Sequence, residues 1–126
     1  MPSRAVVEQF IATIERGEFL EALSQFYAED MTAQENTQPP RVGRAAQFAN
    51  EEAALKRMRF DLIKVASFLV DGERVALNYT FEMTAVSGER LRMDEIAYQV
   101  WRGDRIISER YFYDPAQRLP IAASSG

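Results

Sequence analysis

The chain of 126 residues contains neither cysteine nor histidine. Without cysteine there is no disulfide, no thiolate nucleophile and no sulfur-ligated metal. Without histidine the usual side chain for proton transfer at neutral pH is missing, along with the commonest transition-metal ligand. Acid–base work in this chain therefore falls to carboxylates, tyrosines, lysines or water. A Gly-rich phosphate loop is absent, and no apolar run approaches the length of a membrane span. An excess of positive charge is lacking too: 15 basic against 19 acidic side chains leave a formal charge of -4. Nucleic acid and anionic membranes both demand a basic surface, so neither is expected as a partner. Met1–Pro2–Ser3–Arg4–Ala5 leads straight into an amphipathic pattern instead of a signal-peptide apolar stretch, which makes the cytoplasm the expected location. No loop has the converging oxygens of a Mg²⁺ or Ca²⁺ site, and neither metal nor cofactor is expected.

Hydrophobic residues at 47% and charged residues at 27% describe an ordinary globular chain. Its length suits one core, so residues 1–120 read as one domain and 121–126, small and polar, as a disordered tail. Ser3 is a candidate N-cap for a helix carrying Val6, Val7, Phe10, Ile11 and Ile14, ended by Gly17. A second helix carries Phe19, Leu20, Leu23, Phe26 and Tyr27 on one stripe. Asp30–Glu35 reads as a short extended piece, and Asn36–Thr37–Gln38–Pro39–Pro40 as a loop, because proline lacks the donor a helix needs. Gly43–Arg44 opens an alanine-rich third helix running to about Lys56, with Phe48 its one aromatic residue.

From Arg59 the period changes to two. One strand spans Arg59 to Val70 and is apolar on both faces in places. Asp71–Gly72 marks a hairpin, since a type I′ turn needs positive φ at both central positions. The next strand, Glu73 to Ala85, puts Val75, Leu77, Tyr79, Phe81 and Met83 on one face. After Ser87–Gly88, the strand Arg90 to Trp101 puts Leu91, Met93, Glu95, Ala97, Gln99 and Trp101 on one face. Ile96, Tyr98 and Val100 take the other. Gly103–Asp104 then turns the chain into a last strand from Ile106 to Asp114. Helices first and a meander afterwards is the α+β pattern, with the helices gathered on one face of a curved antiparallel sheet.

Phe26–Tyr27–Ala28–Glu29–Asp30–Met31–Thr32, then Gly43–Arg44, then Val100 to Ile106 ending in Tyr111–Phe112–Tyr113–Asp114, resemble the nuclear-transport-factor-2-like superfamily, in particular its SnoaL-like branch. The resemblance implies a cone: a bent sheet wrapped around a long helix, with a deep, mostly apolar pocket between them. It also implies a choice of activities (isomerase, cyclase, epoxide hydrolase, dehydratase) or none, because the fold serves all of these. Against the ketosteroid isomerase pattern, the general-base aspartate falls at Asn36, with Glu35 beside it. The oxyanion tyrosine falls at Phe10 and the oxyanion aspartic acid at Ala97. Against limonene epoxide hydrolase, the final-strand aspartate falls at Tyr111. An amide abstracts no proton, so the isomerase mechanism does not carry over.

The same alignment brings Tyr79, Phe81, Met83, Met93, Gln99, Tyr111 and Tyr113 to the concave face as ligand-binding candidates, with Phe10 and Asn36. Glu95, Glu109 and Glu35 are the candidate catalytic carboxylates. If a three-residue loop at Gly103 joins the last strands, Glu95 sits opposite Tyr111 and Glu109 opposite Ala97, and the two carboxylates are ~7–8 Å apart at Cα. Such a pair raises at least one pKa and supplies an acid or base without histidine. The competing reading ties both to Arg or Tyr partners or leaves them at the wet rim of the sheet. Asp94 and Arg110 are expected outside as an ion pair of little worth. The expected ligand is a small hydrophobic, carbonyl-bearing molecule. The protein is then either a cofactor-free enzyme or a binding or accessory domain. Ile96, Tyr98, Val100 and Phe112 form an outer apolar patch, expected to pair two copies into a homodimer.

Overall fold

The computed structural model describes residues 1–118, apart from the side chain of Arg118. The tail at 121–126 lies outside the described residues. Helix α1 spans Arg4–Glu15; extended Ser3 caps it, its hydroxyl accepting the Val6 N–H at 3.2 Å. Val7, Phe10, Ile11 and Ile14 are buried on one stripe. Gly17 takes the left-handed conformation (φ 80°) that ends the helix. Helix α2 spans Phe19–Phe26.

Tyr27 does not continue that helix. It is already extended (φ -104°, ψ 140°) and opens strand β1, Tyr27–Glu35, three residues earlier than the expected piece at Asp30. Leaving the helix carries its hydroxyl to Glu109, 82 residues away in sequence, a contact no local pattern reveals. After β2 (Arg41–Val42) and Gly43, helix α3 runs Arg44–Arg57, followed by β3 (Met58–Asp71), β4 (Arg74–Ala85), β5 (Arg90–Arg102), β6 (Arg105–Phe112) and a 3-10 turn at Pro115–Arg118.

The six strands form one sheet in the order β2-β1-β6-β5-β4-β3. The meander β3 to β6 is antiparallel, but β1 joins β6 in parallel, so the sheet is mixed. Strand β4 buries Val75, Leu77, Tyr79, Phe81 and Met83, and β5 buries every second residue from Leu91 to Trp101, as their alternation predicts. Strand β3 pairs with β4 through irregularities at Phe60/Leu62 and Val65/Ser67. Each inserts one residue and resets the phase, so Phe60, Ile63, Val65, Phe68 and Val70 all pack on the core. That explains why its sequence looks apolar on both faces. Bulges also bend a sheet, and the bend closes it over α1 and α2, whose Phe10 packs edge-on against Phe26, Tyr27 and Trp101.

The join between β5 and β6 differs from the expected one. Gly103 and Asp104 alone make the turn, with Arg102 opposite Arg105, and a one-residue bulge follows: Trp101 pairs with Ile106 and Val100 with Ser108, leaving Ile107 extra. The bulge performs the phase correction assigned above to a three-residue loop. Glu109 consequently faces Gln99, and Tyr111 faces Ala97. Glu95 is four residues from Gln99 along β5, about 13 Å at strand rise, so the two carboxylates are not neighbours. The Asp94–Arg110 ion pair does not form either. Asp94 accepts from the Thr80 hydroxyl at 2.7 Å, while Arg110 bonds the Asn36 carbonyl and stacks over Phe112.

Candidate functional site

Between the concave face of the sheet and helix α3 lies a cavity of about 340 Å³. Tyr79, Phe81, Met83, Met93, Glu95, Tyr111 and Tyr113 line it from the sheet; Gln47, Asn50, Glu51 and Ala54 line it from α3; Tyr27, Glu35, Gln38 and Arg41 complete the wall. A wider and more open hollow of about 490 Å³, around Leu55–Phe60 and Thr84–Val86, contains neither a carboxyl nor a tyrosine. The chemistry is concentrated in the inner cavity.

The candidates fall into three groups. Tyr79, Phe81, Met83, Met93, Glu95, Glu35, Tyr111 and Tyr113 are in the cavity wall. Glu109 and Gln99 point inward but lie beneath it, almost completely buried. Phe10 and Asn36 are elsewhere. Phe10 is fully buried in the helix core. Asn36, in the left-handed conformation (φ 52°), ties β1 to β6: its Oδ1 accepts the Tyr113 N–H at 3.0 Å and its own N–H donates to Tyr111. Its side chain is spent on the backbone.

Glu109 is held by three donors. Tyr27 (2.5 Å) and Tyr111 donate hydroxyls to Oε1, and the Gln99 amide donates to Oε2 at 2.6 Å. The orientation of Gln99 follows from chemistry: the indole N–H of Trp101 only donates, so the amide oxygen turns to it (2.9 Å) and the NH₂ turns to Glu109. Burial pushes the Glu109 pKa up, while the donors from Gln99, Tyr111 and Tyr27 pull it down and the balance remains raised. Among the described residues no Arg or Lys forms an ion pair with it. Glu35 is different. Arg41 pairs with its Oε2 at 2.8 Å and the Tyr113 hydroxyl donates to Oε1 at 2.9 Å.

Two groups remain whose polar capacity is not used up. The hydroxyl of Tyr79 has no hydrogen-bond partner among the described residues. Burial first, then the charges of Glu109, Glu95 and Glu51, push its pKa well above the usual value, so it stays a neutral O–H donor. The other is Glu51 on α3, absent from the sequence candidates. Its Oε1 accepts from the Gln47 amide at 3.2 Å, and its Oε2 is buried without a partner. Desolvation raises its pKa to about 8, with Glu109 adding to the rise and Gln47 and Arg41 opposing it. Sequence reading missed it because α3 was judged by its apolar residues. The signal was the polar i,i+4 pair Gln47–Glu51 on a helix with too few apolar side chains to cover a sheet. Gln47 is the only residue of α3 that is fully buried, which places that polar face inward.

Solved structures share this architecture. A Mesorhizobium loti protein proposed to be a SnoaL-like polyketide cyclase superposes with a TM-score of 0.78 at 22% identity, covering 86% of this chain and 97% of that one. A Mycobacterium tuberculosis epoxide hydrolase of the limonene epoxide hydrolase type gives 0.74 at 15% identity, over 90% and 84%. A Catenulispora acidiphila protein with a ketosteroid isomerase-like fold, in complex with trimethylamine, gives 0.77 at 16%, over 93% and 91%. These identities establish a common fold alone. No curated protein matches the chain. The model of the SnoaL-like domain matches residues 7–109, and the chain belongs to that family.

Proposed function

We propose that the cavity binds a small, largely apolar molecule by its carbonyl oxygen and transfers a proton next to that carbonyl. This is the chemistry by which cofactor-free isomerases, cyclases and dehydratases work. One observation carries the reading: Tyr79 offers a neutral hydroxyl, unspent on the protein, in a wall of aromatic and thioether side chains. Of the three tyrosines considered as donors, Tyr111 and Tyr113 are occupied by Glu109 and Glu35. A carbonyl oxygen needs one donor and gives up little hydration in exchange for it. Negative charge developing on that oxygen is stabilised most by a donor already fixed in a dry site. Burial first, with Glu109 under the cavity floor adding to it, keeps the tyrosine protonated and able to donate.

A second reading, a pocket that binds without catalysis, is favoured by the loss of the acidic groups at Asn36 and Ala97 and of the tyrosine at Phe10. The two readings share the ligand and differ in turnover.

Binding of 2-tetralone and of its hydrocarbon counterpart tetralin, measured by titration NMR on the parent and on Tyr79→Phe, tests the proposal. The parent should prefer the ketone, and Tyr79→Phe should lose about tenfold of that preference, roughly 1.4 kcal/mol. Equal affinity of the parent for ketone and hydrocarbon contradicts it.

We propose further that two copies pair through the outer face of the sheet. Ile96, Tyr98 and Phe112 are each about two-fifths exposed there, and Ile96 lies directly opposite Phe112 across β5 and β6. Val100, fourth in the patch, is half-buried.

A further inference from the structure

We propose that Glu51 is the residue that exchanges a proton with the bound molecule, an assignment that rests on the carbonyl-binding reading above. Four carboxyls lie in or under the cavity wall: Glu95 lines it but is not without a partner in the protein, and Glu109 has both oxygens occupied by protein donors and does not reach the cavity. Glu35 has both oxygens occupied by Arg41 and Tyr113. Glu51 lines the cavity, forms no ion pair with any described residue, and has one buried oxygen without a partner. A buried polar atom left unmatched costs stability, and in a native fold it marks a group whose partner is not the protein.

The carboxyl is also aimed. Arg41 donates its Nε–H to the Gln47 amide oxygen at 2.7 Å, and a guanidinium can only donate. The amide NH₂ is thereby turned toward Glu51, where it takes Oε1 and leaves Oε2 for the exchange. Gln47 and Arg41 are positioning residues; Glu51 meets the ligand. Burial raises its proton affinity toward the operating range, which is what a base of useful strength requires. Glu51 and Tyr79 line the same cavity, so base and donor share one site.

The step balances without a co-reactant. The C–H bond next to the carbonyl breaks and its proton goes to Oε2 of the ionised Glu51. The electron pair moves into an enolate whose oxygen accepts the Tyr79 O–H. Return of the proton to the same carbon gives exchange; where the molecule carries a C=C conjugated with the enolate, return to the γ-carbon gives isomerisation.

The test is deuterium incorporation from D₂O into cyclohexanone, acetophenone and 2-tetralone, followed by proton NMR on the parent, Glu51→Gln and Glu51→Asp. The parent should bind at least one ketone and speed its exchange. Glu51→Gln should bind that ketone within about threefold and lose exchange by about 100-fold or more. Glu51→Asp, which keeps the acid on a shorter stem, should retain part of the rate and serves if the Gln variant does not fold. Exchange in Glu51→Gln at the parent's rate overturns the assignment and leaves the proposed function intact, whereas a parent that binds without exchanging overturns both the assignment and the proton transfer and leaves only the carbonyl-binding reading standing. A parent that binds none of the three ketones overturns that reading, and the Glu51 step falls with it.

Discussion

Glu51 and Glu109 are both carboxyls oriented by a glutamine, and they differ in what the remaining oxygen meets. Gln99, fixed by Trp101, and two tyrosine hydroxyls saturate Glu109; Gln47, fixed by Arg41, leaves Glu51 half-satisfied. The difference has a pH signature. Because the folded state raises the Glu51 pKa from its ordinary value to about 8, it holds the proton more tightly than the unfolded chain does. The resulting stability is complete below ~4.3, is lost as pH rises toward 8, and levels off above that. Glu51→Gln does not titrate. It should therefore gain on the parent by an order of a few kcal/mol between pH 5 and pH 9 in urea unfolding, the charges of Glu109 and Arg41 being common to both. Parallel stability curves for the two proteins would mean that Glu51 is solvated. Tyr79 and Glu109 were legible in the sequence because strand alternation shows which side chains share a face. Glu51 was not, because a polar helix face announces neither solvent nor cavity.

Elements with unbroken periodicity were legible, and those with an inserted residue were not. Strands β4 and β5 alternate without interruption and were read correctly, as were the stripes of α1 and α2 up to Phe26. Strand β3 hides its two phase shifts, and β6 hides its bulge at Ile107. The parallel pairing of β1 with β6 joins residues some 80 apart in sequence, beyond the reach of any local pattern. The bulge has a direct consequence. Ile107 is the unpaired residue, so deleting it leaves a regular ladder with each pairing kept: Ile106 opposite Trp101, Ser108 opposite Val100 and Glu109 opposite Gln99. The variant should therefore still melt cooperatively and keep the buried-Trp101 fluorescence of the parent. Loss of the cooperative melt would show that the bulge does more than set the phase of the last strand.

At the scale of the whole molecule, a curved six-stranded sheet encloses α1 and α2 on its concave side and leaves α3 as the polar lid of a cavity. The outer side exposes Ile96, Tyr98 and Phe112, with Arg74 and Arg110 lying over the two rings. If this patch is the interface, light scattering should give twice the monomer mass, and Tyr98→Glu should give the monomer mass or an aggregate. A parent of monomer mass at micromolar concentration removes the dimer. The cavity's central claim, a carbonyl held by the Tyr79 hydroxyl, is tested most directly by the ¹³C shift of a carbonyl-labelled 2-tetralone. On binding to the parent the carbonyl carbon should move downfield, as hydrogen bonding to its oxygen requires, and in Tyr79→Phe it should return toward its position in an apolar solvent. A bound carbonyl with the same shift in parent and Tyr79→Phe would contradict the claim.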